Sequence, residues 1–174
     1  STPPPEIQEA MDEAMNSGYV VFEDLLRKTG DFIAETLGTE SAFVTSGAAA
    51  AISLGSAAAL AGNDRDKMAK IPDTSSFDRN ELVFQKGQDY TYKRCFTLAG
   101  AKLKEVGRED GCTLEEMEAG IGPKTAGIAF YESGLWGDEW VSIEEARALA
   151  DKHDIRLIVD AAGQIYPLDQ FIKV

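Results

Sequence analysis

The 174 residues carry 30 Asp plus Glu against 17 Lys plus Arg, a formal charge of −13, and 44% of them are hydrophobic. That length and apolar content suit one domain with a real core, while the acidity argues against duplex nucleic acid, whose phosphates are met by clustered Lys and Arg that this chain lacks. No stretch approaches the roughly 20 apolar residues of a membrane span. The opening Ser1-Thr2-Pro3-Pro4-Pro5 has neither the basic region nor the apolar core of a signal peptide, so a soluble, cytoplasmic protein with no membrane association is expected. Cys95 and Cys112 are too few and too far apart for a metal site or a disulfide framework and read as reduced thiols. His153 is the only histidine, which leaves no multi-histidine metal site, and it reads as a capping or surface residue at the polar end of a helix.

Taken in chain order, Ile7, Ala10, Met11, Ala14 and Met15 recur at helical spacing and predict a helix over residues 5–16, stopped by Asn16-Ser17-Gly18. Phe22, Leu25, Leu26, Phe32, Ile33 and Leu37 predict a second helix over 22–37, ended by Gly38. Ala42-Phe43-Val44-Thr45 then reads as a short buried strand, Ala48 to Ala61 as a small-residue helix, and Gly62 to about Asn80 as a connecting loop. Strand Leu82-Val83-Phe84, helix Tyr92 to Ala99 and strand Leu103 to Val106 follow. Thr113-Leu114-Glu115-Glu116 and Ser142-Ile143-Glu144-Glu145 have the spacing of capping boxes, in which hydroxyl and carboxylate each satisfy a free backbone N–H, and each opens a helix. Ala126 to Tyr131 and Ile155 to Val159 complete the strands. Alternation of this kind implies an α/β fold with a mostly parallel sheet and right-handed crossovers, whose ligands bind at the carboxyl ends of the strands.

Two such ends carry candidate chemistry. Thr45-Ser46-Gly47-Ala48 places hydroxyls and a glycine where a helix begins, an arrangement that lets backbone N–H groups and the positive helix end approach an anion, although a plain N-cap reads equally well there. The lysine of a triphosphate loop and the three glycines of a dinucleotide fingerprint are both missing. Asp160-Ala161-Ala162-Gly163-Gln164 puts a carboxylate at the end of an apolar strand, where it needs a cationic partner, and follows it with small residues that leave room for something flat. A phosphate cradle at one strand end and a carboxylate at another suit a ligand with a phosphate on one side and a basic aromatic nitrogen on the other, as in pyridoxal phosphate.

The order Pro4 to Met11, Val44 to Ala51, Ile71 to Thr74, Gln85-Lys86-Gly87, Ala99 to Gly107 and Val159 to Gln164 resembles, nearly end to end, the fold-type-I pyridoxal-phosphate enzymes of the group containing L-seryl-tRNA selenium transferase and D-glucosaminate-6-phosphate ammonia lyase. The resemblance implies a three-layer α/β large domain like that of aspartate aminotransferase. It implies that Ser46, Gly47 and Ala48 form the phosphate-binding turn, that Asp160 pairs with the ring nitrogen and is the catalytic carboxylate, that Ala162 packs on the ring and that Gln164 is a polar neighbour. The loop Gln85 to Tyr92 matches the region that supplies the group stacked on the other ring face; Gln88 stands where many relatives have His, and Tyr90 or Tyr92 is an alternative. The family's Schiff-base lysine lies a further strand beyond the aspartate, and this chain stops at Val174, with Lys173 too close in an expected helix Leu168 to Val174. The expectation is therefore a partial chain: the N-terminal part of the large domain over 1–174, beginning with helices 5–16 and 22–37, without the lysine segment or the small domain.

The function implied for the parent protein is a lyase performing α,β-elimination on a small amino acid or amino sugar, with pyridoxal 5'-phosphate as cofactor and a homo-oligomeric assembly. Alternatives are a transferase or aminotransferase on the same fold, or a non-catalytic truncated relative. The acidity tilts the reading from a tRNA substrate towards a small molecule.

Overall fold

The computed structural model describes residues 2–134 and 136–164, and the expected helix Leu168 to Val174 lies outside them. The chain divides into two compact units, Ser1–Thr45 and Ser46–Val174.

The first unit holds helix α1, Pro5–Asn16, with proline in its first turn, and helix α2, Phe22–Leu37, ended by Gly38 in the left-handed conformation. Both match the expected spans. The expected strand Ala42-Phe43-Val44-Thr45 does not form: these residues join no ladder, and Phe43 and Val44 are 64% and 43% exposed. A four-residue apolar run has too little periodicity to separate a strand from irregular chain, and pairing decides it.

The second unit begins with helix α3, Ala48–Ala61, and contains α4 (Arg65–Lys70), β1 (Glu81–Gln85), β2 (Lys102–Val106), α5 (Leu114–Gly120), β3 (Thr125–Tyr131), α6 (Ile143–Lys152) and β4 (Arg156–Asp160). Helix α4 lies inside the span expected to be loop. Its start is set by Asp64, whose carboxylate accepts the N–H groups of Asp66 and Lys67, and lysines close its last turn. The expected helix Tyr92 to Ala99 shortens to a 3-10 turn over Lys93–Thr97, as suits a segment of Tyr, Cys, Phe and Thr with low helix propensity. Both capping boxes form in full, at Thr113 with Glu116 and at Ser142 with Glu145.

The four described strands are all parallel, in the order β2-β1-β3-β4. The link from β1 to β2 crosses the face that α3 covers, whereas α5 and α6 lie on the other face and carry the chain back over β1 to β3 and on to β4. Reversing direction while changing face keeps one crossover hand. It also makes the gap between β1 and β3 the point where the connections diverge, which is where open α/β sheets bind ligands.

Side chains alternate between the two layers. Leu82, Phe84, Ala129 and Ile158 pack with α3 and the 3-10 turn, while Val83, Ile128, Phe130, Leu157 and Val159 pack with α5 and α6. Each fully buried Phe or Leu in these clusters contributes about 1.5–3 kcal/mol. One polar side chain ties strand to loop: Gln85, fully buried, donates Nε2–H to the Val141 carbonyl at 3.1 Å and accepts the Val141 N–H at 3.0 Å. Replacing it strands both backbone groups of buried Val141. Gln85→Ala is therefore expected to destabilise the fold by about 2–4 kcal/mol in denaturant titration, and a loss under about 0.5 kcal/mol would show that the pair is dispensable.

Candidate functional site

Asp160 is the last residue of β4. Because Ile158 faces the α3 layer and Leu157 and Val159 the other, alternation puts Asp160 on the α3 side of the sheet. It is 5% exposed, so its charge depends on partners supplied by the protein. Two are present. Oδ1 accepts the Ala162 N–H at 3.1 Å, from the turn that follows the strand, and Oδ2 accepts the Tyr90 hydroxyl at 2.6 Å.

Tyr90 comes from the loop after β1 and lies flat on Tyr131, the last residue of β3, with ring centroids 3.9 Å apart and planes within 2°. Tyr131 is the ladder partner of Asp160. Three strand ends thus meet at one cluster, at the divergence point of the sheet. Trp136 stands edge-on to Tyr131 at 6.0 Å and donates its indole N–H to the Tyr131 carbonyl at 2.7 Å. Burial first, then the hydrogen bond to Asp160 and its negative charge, push the Tyr90 hydroxyl well above the usual phenol range, so it stays protonated and remains a donor.

Helix α3 begins beside this carboxylate. Ala48, Asp160, Ala161 and Ala162 line the same open groove of about 800 Å³, which runs on between α3 and β4 along Ala51, Gly55 and Ala58. Gly55 marks how closely the two approach, since a Cβ there would meet Ile158 Cγ2 at 3.4 Å. Ser46, Gly47 and Ala48 are exposed, and Gly47, which precedes the first turn of α3, has a φ of 154°, which side-chain-bearing residues rarely adopt. They stand at the positive end of a 14-residue helix.

The remaining candidates sit elsewhere. Gln88 is fully buried: its Oε1 accepts the Tyr131 N–H at 3.3 Å, and its Nε2 has no partner among the described residues. Its amide thus braces the strand-end cluster. Gln164 is buried too, and lines a second cavity with Phe130, Trp136 and the start of α6. The structure accordingly joins Ala48, Asp160 and Ala162 in one groove and sets Gln164 in another. His153 lies at the C-terminus of α6 with Nε2 2.8 Å from Glu118 Oε1, and both cysteines are free and buried. Sequence reading missed Tyr131 altogether. Its signal was an aromatic residue at the carboxyl end of an otherwise apolar strand, next in space to the tyrosine of the β1 loop.

No family model matches the chain. D-glucosaminate-6-phosphate ammonia lyase of Salmonella typhimurium is 32% identical over 165 residues, covering 92% of this chain. A solved structure of D-glucosaminate-6-phosphate ammonia lyase superposes with a TM-score of 0.84 at 31% identity, over 92% of this chain and 44% of that one. This chain is a homologue of D-glucosaminate-6-phosphate ammonia lyase, with the fold-type-I, aspartate-aminotransferase-like architecture. A 5'-C-glycyluridine monooxygenase-decarboxylase from Streptomyces is 30% identical over 84% of the chain. Thermus thermophilus aspartate aminotransferase shares the fold at a TM-score of 0.58 and 18% identity, over 92% of this chain and 44% of that one. The chain spans 44% and 38% of the lengths of the two curated relatives.

The Tyr90 shift has a stability consequence. With its folded value raised above the unfolded value of about 10, the hydroxyl contributes stability that is fully present below about pH 10 and is lost as the pH rises beyond it. Tyr90→Phe should flatten the alkaline fall in unfolding free energy, followed by denaturant titration at a series of pH values. An unchanged slope would remove the Tyr90–Asp160 bond from the account.

Proposed function

We propose that the whole protein is a pyridoxal-phosphate-dependent lyase that performs α,β-elimination on a small amino acid or amino-sugar substrate. In this reading it works in the cytoplasm as a homo-oligomer, and residues 1–174 form the first part of its large domain. The cofactor-linking lysine and the small domain belong to the remainder of the protein, in keeping with relatives more than twice as long. The observation that carries the reading is one groove lined both by the start of α3 and by the buried carboxylate of Asp160.

The donor set fits the cofactor. The first turn of α3, with Ser46, Gly47 and Ala48, offers backbone N–H groups and a positive helix end to a phosphate. The carboxylate of Asp160, shielded from water, would hold a proton on a ring nitrogen. Ala161 and Ala162, small residues, line the groove beside it. When bound, the cofactor's protonated ring accepts the electron pair released as a bond to the substrate α carbon breaks. The chain's own share is to anchor one end by backbone amides, keep the nitrogen protonated from the other and exclude water from the carboxylate through Tyr90 and Tyr131.

Among the relatives, one is named as an ammonia lyase and another as a monooxygenase-decarboxylase, so the released product discriminates. Full-length protein mixed with pyridoxal phosphate is expected to develop a visible absorption band and to release ammonia, without carbon dioxide, from a phosphorylated amino-sugar acid. Asp160→Asn, similar in size but unable to hold the proton, should slow ammonia release by at least about 10²-fold. Absence of the band, or full activity in Asp160→Asn, would refute the proposal.

A further inference from the structure

Asp160 receives its two hydrogen bonds from separate parts of the chain. The Ala162 N–H belongs to the turn after β4, but the Tyr90 hydroxyl arrives from the loop after β1, a strand that does not neighbour β4. At 2.6 Å this O–H···O contact lies in the range of charge-assisted bonds. The tyrosine ring is itself held, stacked face to face on Tyr131, and Tyr131 is joined to Asp160 through the β3–β4 ladder. Ladder, ring stack and hydroxyl therefore form a closed circuit of three contacts around one carboxylate. A carboxylate offers about four lone-pair positions, and the two bonds described leave capacity for a further donor.

We infer that Tyr90 is a positioning residue for Asp160: its hydroxyl, clamped by the Tyr90–Tyr131 stack, fixes the carboxylate so that a protonated ring nitrogen meets an acceptor already oriented. The inference rests on the pyridoxal-phosphate reading above and deepens it. Orientation in advance lowers the ordering cost when the ligand binds. It acts on the nitrogen alone, because the proposed phosphate contacts lie at the start of α3, on a different segment. A hydroxyl that only filled space would affect all ligands of the same shape alike.

The test uses the full-length protein and two probes, pyridoxal phosphate and its deaza analogue with carbon in place of the ring nitrogen. Both carry the same aldehyde and phosphate, so the ratio of their dissociation constants isolates the nitrogen. Native protein should prefer the nitrogen-containing probe. Tyr90→Phe, which keeps the ring stack, should cut that preference about tenfold while leaving deaza binding unchanged; Asp160→Asn should abolish it. If Tyr90→Phe keeps the native ratio, whether or not both affinities fall, while Asp160→Asn loses it, the Tyr90 role is overturned and the cofactor reading stands. If native protein shows no preference, both are overturned. Tighter binding in Tyr90→Ala would mean that the ring occupies ligand space, which also overturns the positioning role.

Discussion

A carboxylate at the end of a buried strand is the constraint around which this molecule is arranged. Asp160 has lost nearly all contact with water, and an ion so placed must recover its solvation from fixed dipoles. The chain supplies an amide from the adjoining turn and a phenol from a distant loop. The phenol can reach only because the sheet order brings β1 and β4 to either side of β3, and only because Tyr131, at the end of β3, offers its ring as a support. The burial of Gln88 follows from the same geometry: its amide oxygen takes the Tyr131 N–H and holds the loop against the strand.

The electrostatic design is asymmetric. The amino end of α3 presents the positive end of a helix dipole and a glycine, a surface suited to an anion, whereas the end of β4 presents an anion, suited to a cation. Both open onto one groove. Small residues along α3 let helix and strand approach closely, as the contact at Gly55 shows, so that the two opposite potentials are held at a fixed separation by packing rather than by a flexible loop. This arrangement belongs to a scaffold shared by relatives bearing the names of different reactions, a lyase and a monooxygenase-decarboxylase. The scaffold is therefore common property, and the choice of reaction must come from residues around the substrate.

Much of this was legible in the residues. Helices α1 and α2 follow from apolar spacing with Asn16-Ser17-Gly18 and Gly38 as stops, α3 from its run of small residues, and the starts of α5 and α6 from capping boxes whose spacing alone defines their hydrogen bonds. The core strands are runs of Val, Ile, Leu and Phe that have no other stable environment. Asp160 stood out because a charge following such a run demands a partner. Where local signals were weak, the reading missed: Asp64 as the cap of α4 passed unnoticed in a stretch rich in charge, and Phe43-Val44 had the composition of a strand without a neighbour to pair with.

What the sequence by itself determined is thus most of the helices and strands and the place of the carboxylate at a strand end, because caps, periodicity and the cost of burying charge act over a few residues. Only the tertiary structure decided which groups answer that carboxylate. Tyr90 and Asp160 are 70 positions apart, and no rule of spacing connects them. Their meeting depends on strand order, on the stack with Tyr131 and on the ladder between β3 and β4, all of which are long-range consequences of packing two faces of one sheet.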